Sequence, residues 1–233
     1  MARIVKEPAI RRNEILDTAQ QLIGSKGYEQ MTIQDILSAL QISKGGFYHY
    51  FDSKQALLEA LIERMQGEMD QLLHPIVHDS HLSALTRLQR FFAAFSHYKT
   101  DRQGFFIALS HIWYTDDNAI VRQKVRAARV KQVAPLLAAV IRQGDQEGVL
   151  TAAYPEQASE IALSIVLDLS DTLAIVLLER EQQQETPSRL EHIVAGYSDA
   201  LERVLGAPAG SLPLVDGETL KAWFVSMRED DAK

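Results

Sequence analysis

Apolar residues recur at helical spacing along most of this 233-residue chain. An apolar stripe from Ile15 to Ile23 ends at Gly24 or Gly27, both natural helix stops. No alternating apolar and polar run bounded by turns indicates a strand. Beyond Pro75 the pattern predicts helices at about 80–99, 102–114, 117–147 (broken or bent near Pro135), 155–182, 187–205 and 216–228. The pattern therefore predicts an all-α fold.

The stretch from Thr32 to Lys54 predicts two short helices and the start of a third. Thr32 is a suitable N-cap for the segment IQDILSAL, whose apolar residues share one helical face. Gln41 and Ile42 form the turn that follows. Ser43 then caps the segment KGGFYHYF. Two helices joined by a tight turn are typical of a helix-turn-helix.

Two glycines in the first turn of the second short helix need an explanation. Gly45 and Gly46 each cost roughly 1 kcal/mol relative to alanine at such positions. We expect this cost to be offset because the glycines let the helix backbone approach another molecule closely. Phe47 and Phe51 are four residues apart and are expected to face inward.

The polar side chains of the same helix favour nucleic acid. Lys44, Tyr48 and His49 remain outside, and an ammonium group, a phenol and an imidazole suit phosphates and base edges. Asp52 and Ser53 can cap a longer helix that we expect to end at Pro75. A cation in its first turn is unfavourable to the helix dipole, which a nearby phosphate would explain for Lys54.

Charge is distributed unevenly along the chain. The formal net charge is −7, yet residues 1–66 hold eight basic and eight acidic residues, so the excess negative charge lies beyond residue 66. Residues 1–12 form a polar arm with a basic excess, which is either an ordinary solvated terminus or an arm that contacts phosphates. Its basic residues are Arg3, Lys6, Arg11 and Arg12.

Composition excludes several classes of protein. The chain has no cysteine, which excludes disulfide frameworks, thiolate zinc sites and cysteine nucleophiles and fits a reducing compartment. The first residues have no apolar core of the length that a signal peptide needs. The longest apolar stretch, residues 161–178, contains Asp168 and Asp171, which favours a buried helix over a membrane span. We therefore expect a soluble cytoplasmic protein.

Residues 10–62 resemble the DNA-binding domain of the tetracycline-repressor (TetR/AcrR) family of bacterial regulators. The resemblance is carried most specifically by Thr32 with Ile36 and by the run SKGGFYHYFDSK that ends at Lys54. It implies that residues 43–50 form the recognition helix, that Tyr48 and Lys54 bind phosphates, and that Thr32 does so at the start of the preceding helix.

The sequence departs from the family pattern near the turn. The family usually has small residues and a turn glycine where this chain has Leu37, Leu40 and Gln41. A residue other than glycine at the turn requires either a left-handed backbone, at some cost, or a different turn.

The resemblance also implies a domain layout. A three-helix DNA-binding domain would span residues 1–52, and a helical ligand-binding and dimerisation domain would span residues 53–233. Residues 155–205 would form a four-helix bundle with the same segment of a second copy. An effector pocket would lie between the middle helices of the second domain.

Two groups in the second domain invite chemical interpretations. His74, His78, His81 and Asp79 include the i, i+4 spacing of a helical metal pair, but Pro75 favours a solvated turn over a metal site. The other group combines aromatic residues with polar residues that share one face of an apolar helix. Its carboxylates need a partner if they are buried, and they favour a cationic effector. The candidate ligand-binding residues are Phe91, Phe95, Phe106, Trp113, Tyr114, Ser164, Asp168 and Asp171.

These features predict a ligand-responsive transcriptional regulator, more specifically a repressor that binds an inverted-repeat operator as a homodimer. The alternatives are a helical small-molecule-binding protein or enzyme without DNA binding, and a constitutive DNA-binding dimer without an effector. No catalytic constellation, cofactor loop or metal site supports an enzyme. The candidate DNA-binding residues are Arg11, Arg12, Thr32, Ser43, Lys44, Gly45, Gly46, Tyr48, His49, Tyr50 and Lys54.

Overall fold

The computed structural model describes residues 8–180 and 187–225, and these residues form helices and connecting turns without a strand. The helices are α1 (Pro8–Lys26), α2 (Ile33–Leu40), α3 (Lys44–Tyr48), α4 (Lys54–His78), α5 (Ala84–Thr100), α6 (Gln103–Trp113), α7 (Ala119–Gln146), α8 (Pro155–Arg180), α9 (Pro187–Leu205) and α10 (Gly217–Val225), with a 3-10 turn at Asp116–Asn118. The predicted all-α fold is confirmed. Of the predicted first arm, residues 1–7 lie outside the described residues and Arg11 and Arg12 lie in α1. The ends of the helices predicted at 155–182 and 216–228 also lie outside the described residues.

The chain divides into two compact units. The first contains residues 1–69 and 104–112, and the second contains residues 70–103 and 113–233. The functional boundary after residue 52 stays a prediction.

In the first unit, α1 packs on α2 and approaches α6 closely. A Cβ built on Gly24 would lie 3.5 Å from the backbone nitrogen of Phe105, which is ordinary van der Waals contact. The α1 helix ends at Gly27, whose φ of +80° is the left-handed conformation of a helix C-cap. The buried apolar residues of α1 are Ile15, Leu16, Ala19 and Ile23. The predicted stripe held Ile15, Ala19, Leu22 and Ile23, so Leu16 was missed and Leu22 is only half-buried.

In the second unit, α7 packs on α8, α8 on α9, and α5 on α7, while α10 packs on α5 and α9. The α7 helix runs unbroken through Pro135. By length and composition, Pro155–Glu179 of α8 is apolar enough to cross a membrane, but it packs against α7 and α9, and 33% of its most apolar window is buried. The rest of this window keeps some exposed surface in the single chain.

The expected end of α4 at Pro75 is wrong, because α4 continues to His78. Continuing the helix buries Val77 to 5% exposure, and burial of such a side chain offsets much of the roughly 3 kcal/mol cost of an internal proline. The rings of His74 and His78 stack with centroids 4.0 Å apart, and His78 Nδ1 lies 2.8 Å from the His74 carbonyl oxygen. Within the described residues, no three histidine or acidic side chains are grouped to hold a metal.

Candidate functional site

The recognition segment, residues 32–54, is built by local caps. The Thr32 N–H and hydroxyl each donate to Asp35 Oδ2 at 2.7 Å, and the Asp35 N–H donates to Thr32 Oγ1 at 3.2 Å. This reciprocal pair is a capping box, with aspartate in place of the usual glutamate. Ser43 accepts from the Gly46 N–H at 3.1 Å and caps α3 with this single hydrogen bond. The predicted N-caps are therefore confirmed.

Lys26 adds a partner that the sequence analysis missed. Its Nζ lies 2.6 Å from Asp35 Oδ2 and ties the end of α1 to the start of α2. The hydrogen bonds from Lys26 and Thr32 hold the pKa of Asp35 far below its usual range. The Thr-x-x-Asp spacing was the sequence signal for the capping box, whereas nothing local to Lys26 indicated this pair.

The turn between α2 and α3 uses a left-handed residue. Gln41 has φ 52° and ψ 43°, and it is the only residue other than glycine with positive φ among those described. The sequence left two turn geometries open, and the structure adopts the left-handed one. Two backbone hydrogen bonds stabilise this strained turn. The Gln41 N–H donates to the Ser38 carbonyl oxygen, and the Ile42 N–H donates to the Leu37 carbonyl oxygen.

The α3 helix presents a polar face over an aromatic core. Phe47 and Phe51 are 0% and 3% exposed, whereas Tyr48 is 41% exposed and Lys44 and His49 are also exposed. The inward and outward placement predicted from the spacing is confirmed. The regular helix ends at Tyr48, before the implied end at Tyr50, although the His49 and Phe51 N–H groups still donate four residues back.

The glycines of α3 differ in their surroundings. A Cβ on Gly45 would have no atom within 4 Å, whereas one on Gly46 would lie 3.4 Å from Ser43 Oγ. The chain itself therefore gives no packing reason for glycine at position 45.

Three of the predicted DNA-binding cations are held by the first unit. Arg11 donates to Glu14 at 2.8 Å, and the Arg12 guanidinium lies 5.4 Å from the Phe51 ring. Lys54 Nζ donates to the Glu29 carbonyl oxygen at 3.2 Å and lies 4.2 Å from the Tyr28 ring. These contacts give Lys54 a structural role that its sequence position did not reveal. Tyr50 is half-buried, with its ring 4.9 Å from the His49 ring.

The second candidate site centres on three arginines on one face of α7. Arg122, Arg126 and Arg129 follow helical spacing, and each contacts a different part of the second unit. Arg122 donates to the carbonyl oxygens of Trp113 and Thr115. We call these three residues the arginine face of α7.

Arg126 joins α7 to the predicted polar face of α8. Its Nη1 donates to Asp171 Oδ2 at 3.0 Å, its Nη2 donates to the Ser164 carbonyl oxygen at 3.0 Å, and Nη2 lies 3.9 Å from Asp168 Oδ1. Tyr114 donates to Asp171 Oδ1 at 2.7 Å. Burial and this hydrogen bond raise the pKa of the Tyr114 phenol, which therefore remains a neutral donor.

The burial expected for the two α8 carboxylates is wrong. The Asp168 and Asp171 side chains are 57% and 41% exposed, although both contact side chains of neighbouring elements. Tyr197 of α9 donates to Asp168 Oδ2 at 2.5 Å, and this hydrogen bond raises the pKa of Tyr197. Both carboxylates therefore have hydrogen-bond partners within the chain, which are Tyr114 and Arg126 for Asp171 and Tyr197 for Asp168. The reason for expecting a cationic effector is thereby removed.

The predicted aromatic residues fall into two groups. Phe91 is 1% exposed and belongs to the packed core of the second unit. Phe95, Trp113 and Tyr114 keep part of their surface accessible, and Lys99 Nζ lies 4.7 Å from the Phe95 ring. Phe106 is half-buried and belongs to the first unit.

Arg129 and Asp70 form the most buried ion pair of the arginine face. Arg129 is 8% exposed, and its Nη1 donates to Asp70 Oδ1 at 2.5 Å while Gln132 donates to Oδ2 at 2.6 Å. This pair links α7 to the second-unit part of α4. Sequence analysis missed it, because the two residues are 59 positions apart and neither has a local signal.

A separate shallow cavity of about 450 Å³ lies beside α9. Its walls come from α9, α10 and the connection between them, including Val194, Glu202 and Leu220, and none of the predicted ligand-binding residues lines it. Glu202 is 6% exposed and accepts from the N–H groups of Gly210 and Leu212. This glutamate thus fixes the connection after α9.

Comparison with known proteins identifies the family. A family model described as bacterial regulatory proteins of the tetR family matches residues 15–61, and one described as a tetracyclin repressor-like C-terminal domain matches residues 110–184. The chain belongs to the tetracycline-repressor family of transcriptional regulators. The resemblance found in residues 10–62 is thereby confirmed.

Relatives of this TetR-family chain are named as repressors. The HTH-type transcriptional repressor DhaR of Mycobacterium sp. (strain GP1) is 25% identical over 59% of this chain and 68% of its own length. The repressor KstR2 of Mycobacterium tuberculosis is 28% identical over 64% of this chain and 73% of its own. The fold is shared with a transcriptional regulator from Cytophaga hutchinsonii, with a TM-score of 0.62 and 18% identity over 83% of this chain and 94% of that one. The chain is therefore a DNA-binding transcriptional regulator.

Proposed function

We propose that this chain is a cytoplasmic repressor that binds an inverted-repeat operator as a homodimer and is released by a small-molecule effector. The observation that carries the proposal is the face of α3, where Lys44, Tyr48 and His49 are exposed above buried Phe47. Such a face offers a cation and hydrogen-bonding groups to a DNA groove. The names of the relatives support repression over activation.

Gly45 supports DNA contact independently of charge. Because no atom of the chain lies near its missing Cβ, the glycine is explained by a duplex backbone that approaches α3 closely. Ser43 and Thr32 place helix N-terminal N–H groups on the same segment, and such groups bind phosphates. Arg11, Arg12, Gly46, Tyr50 and Lys54 complete the proposed DNA-facing set, although Arg12 and Lys54 also support the fold.

The test begins with a duplex that the protein selects from a random pool. Labelled duplex is titrated at two salt concentrations with wild type, Lys44→Ala, Tyr48→Phe and Gly45→Ala. We expect Lys44→Ala to weaken binding about tenfold and to reduce the salt slope by about 1, because one phosphate contact is lost. Gly45→Ala should weaken binding at both salt concentrations without loss of stability.

Lys131→Ala is the matched control, because Lys131 is an exposed lysine of α7 in the second unit. It should leave DNA affinity unchanged. The proposed interface would be excluded if DNA affinity did not change with salt and was the same in wild type and in the three α3 variants.

Residues 155–205 supply the proposed homodimer surface. On α8, Ile161 and Ile175 are 49% and 42% exposed, and exposed apolar side chains on so hydrophobic a helix favour burial against another chain. On α9, Ala195 and Gly196 are exposed small residues that allow a close approach of a second helix.

The dimer is tested by sedimentation of the full chain. We expect wild type to sediment as a dimer, and Ile175→Glu to shift it toward monomer and to weaken DNA binding. Ile120→Glu is the matched control, because Ile120 is 72% exposed on α7, outside the proposed surface. Equal dissociation by both substitutions, or a monomeric wild type, would contradict the proposal.

The effector site is proposed for the second unit, where Ser164, Asp168 and Asp171 meet Tyr114 and Arg126. Phe95 and Trp113 offer partly accessible aromatic surface, whereas Phe91 is packed in the core and Phe106 belongs to the first unit, so neither is part of the proposed site. An effector that binds one conformation better shifts the population and releases DNA. A compound that raises the melting temperature and lowers DNA affinity distinguishes this repressor from a constitutive DNA-binding dimer.

A further inference from the structure

The carboxylate of Asp171 is held like a bound ligand. Both of its oxygens accept hydrogen bonds, from the Tyr114 hydroxyl at 2.7 Å and from Arg126 Nη1 at 3.0 Å. Neither donor belongs to α8, so the position is built by other elements and is filled by an α8 side chain. The side chains of Asp171 and Arg126 are 41% and 28% exposed, which leaves the position open to solvent.

Lys99 of α5 adds positive charge to the same position. Burial lowers the pKa of Lys99 to about 8, and Asp171 acts against this by raising it, so the two charges interact. Lys99 Nζ also lies 4.7 Å from the Phe95 ring. One carboxylate is therefore surrounded by charge and hydrogen-bond donors from α5, α7 and the end of α6.

The two donors that hold Asp171 match an anionic head group. Arg126 supplies a positive charge and Tyr114 supplies a hydroxyl donor. A planar carboxylate suits an arginine fork, and a phenol that stays neutral donates to it. A cation in the same place would meet this positive charge and have to displace an existing ion pair.

Apolar surface lies beside the polar position. Phe95, Trp113 and Tyr114 each keep part of their surface accessible. Ligand sites commonly combine such aromatic surface with a few polar groups that fix orientation. The ligand that matches both parts has one carboxylate and an apolar chain or ring.

We propose that Arg126 and Tyr114 form the carboxylate-binding site of the effector, that Asp171 occupies it in this structure, and that the effector is an amphipathic carboxylate. This inference rests on the proposed function and names the chemical class of its effector. A ligand carboxylate that replaces Asp171 takes over the hydrogen bonds of Tyr114 and Arg126. The tie between α7 and α8 is thereby lost, which couples ligand binding to the packing of the second unit.

The test uses three probes that share one alkyl chain and differ in the head group. Decanoate, 1-decanol and decyltrimethylammonium are titrated below their micelle concentrations into the full-length dimer, and binding is followed by calorimetry and by melting temperature. We expect decanoate to bind at least about tenfold more tightly than the other two, because only decanoate carries a negative charge and two oxygens that can accept from Arg126 and Tyr114 together.

Variants separate a ligand site from a structural ion pair. Asp171→Asn and Asp171→Ala remove the resident carboxylate, so we expect each to raise decanoate affinity about tenfold. Asp168→Ala removes the same charge one helical turn away, and we expect it to raise affinity less than about threefold. Arg126→Gln should lower affinity about tenfold, and Lys131→Gln, an exposed α7 substitution, should leave it unchanged.

Three outcomes would overturn the inference. Tighter or equal binding of decanol or decyltrimethylammonium would exclude carboxylate selectivity, and absence of binding by all three probes would exclude the site. Equal increases in decanoate affinity from Asp168→Ala and Asp171→Asn would show that net charge, and not the position of Asp171, controls binding. DNA binding by the same preparations is measured in parallel, so that a failed carboxylate site with intact DNA binding leaves the repressor proposal standing.

Discussion

The recognition segment and the arginine face of α7 are stabilised over very different distances along the chain. Both N-caps of the recognition segment join residues three positions apart. The ion pairs of the arginine face join residues 45 and 59 positions apart. The first region therefore carries its structure in a short stretch of sequence, and the second depends on which helices pack together.

The difference also appears in burial. Thr32 and Asp35 are solvent-accessible, whereas Arg129 is 8% exposed and would be left without its carboxylate partner if α4 moved away. Exposed caps contribute about 1 kcal/mol each, whereas removal of one partner of a buried pair costs several. Substitutions in the two regions should therefore differ in size.

The largest expected effect belongs to the second region. Asp70→Ala leaves the Arg129 charge buried and unpaired, and we expect a loss of about 2–3 kcal/mol, below the fully buried range because Asp70 is 33% exposed. Urea unfolding followed by tryptophan fluorescence measures it, since Trp113 and Trp223 both belong to the second unit.

Two variants control the Asp70 experiment. Glu63→Ala removes an exposed α4 carboxylate and should change stability by less than about 0.5 kcal/mol. The double variant Asp70→Leu with Arg129→Met should recover most of the loss, because apolar replacement of both partners leaves no buried charge. A loss with Asp70→Ala no larger than with Glu63→Ala would remove the contrast between the regions.

In the recognition segment we expect Thr32→Ala to cost about 1 kcal/mol, because the hydroxyl that caps Asp35 N–H is lost. Hydrogen exchange of the α2 amides in the full chain measures this opening. Thr32→Ser keeps the hydroxyl and should restore protection. If Thr32→Ala also weakened the second unit, the two regions would not be independent.

Gln41→Gly should stabilise the recognition segment, and by less than Thr32→Ala destabilises it. Glycine removes the left-handed strain at φ 52° but loses more entropy on folding, so we expect a gain of about 0.5–1 kcal/mol in the same exchange measurement. Gln41→Ala keeps a Cβ at positive φ and should show no such gain. Equal protection in Gln41→Gly and wild type would mean that the turn stores no strain.

The smallest expected effect is a pH dependence at Asp35. Its folded-state pKa is lowered, so its contribution is present above the unfolded pKa of about 3.9 and is lost as pH falls through the folded value. Wild type should exceed Asp35→Asn in α2 protection at pH 6, and the difference should begin to shrink near pH 3.9 and continue to fall below it. A difference that disappears by pH 5 would contradict the lowered pKa.

Sequence alone determined the all-α class and most of the helices, the two N-caps, the inward Phe47 and Phe51, and the family. Periodicity and capping act within a few residues, which is why they are legible in one chain. Pro75 misled the prediction because the local rule for proline carries no information on the burial of Val77.

Only the tertiary structure decided the partners of the charged residues. It paired Arg129 with Asp70, placed Tyr114 and Arg126 on Asp171, exposed Asp168, and gave Lys54 a carbonyl and an aromatic ring. Electrostatic and hydrogen-bond energies depend on the distance between the groups in space. For residues 45 or 59 positions apart, that distance is fixed only when the helices pack.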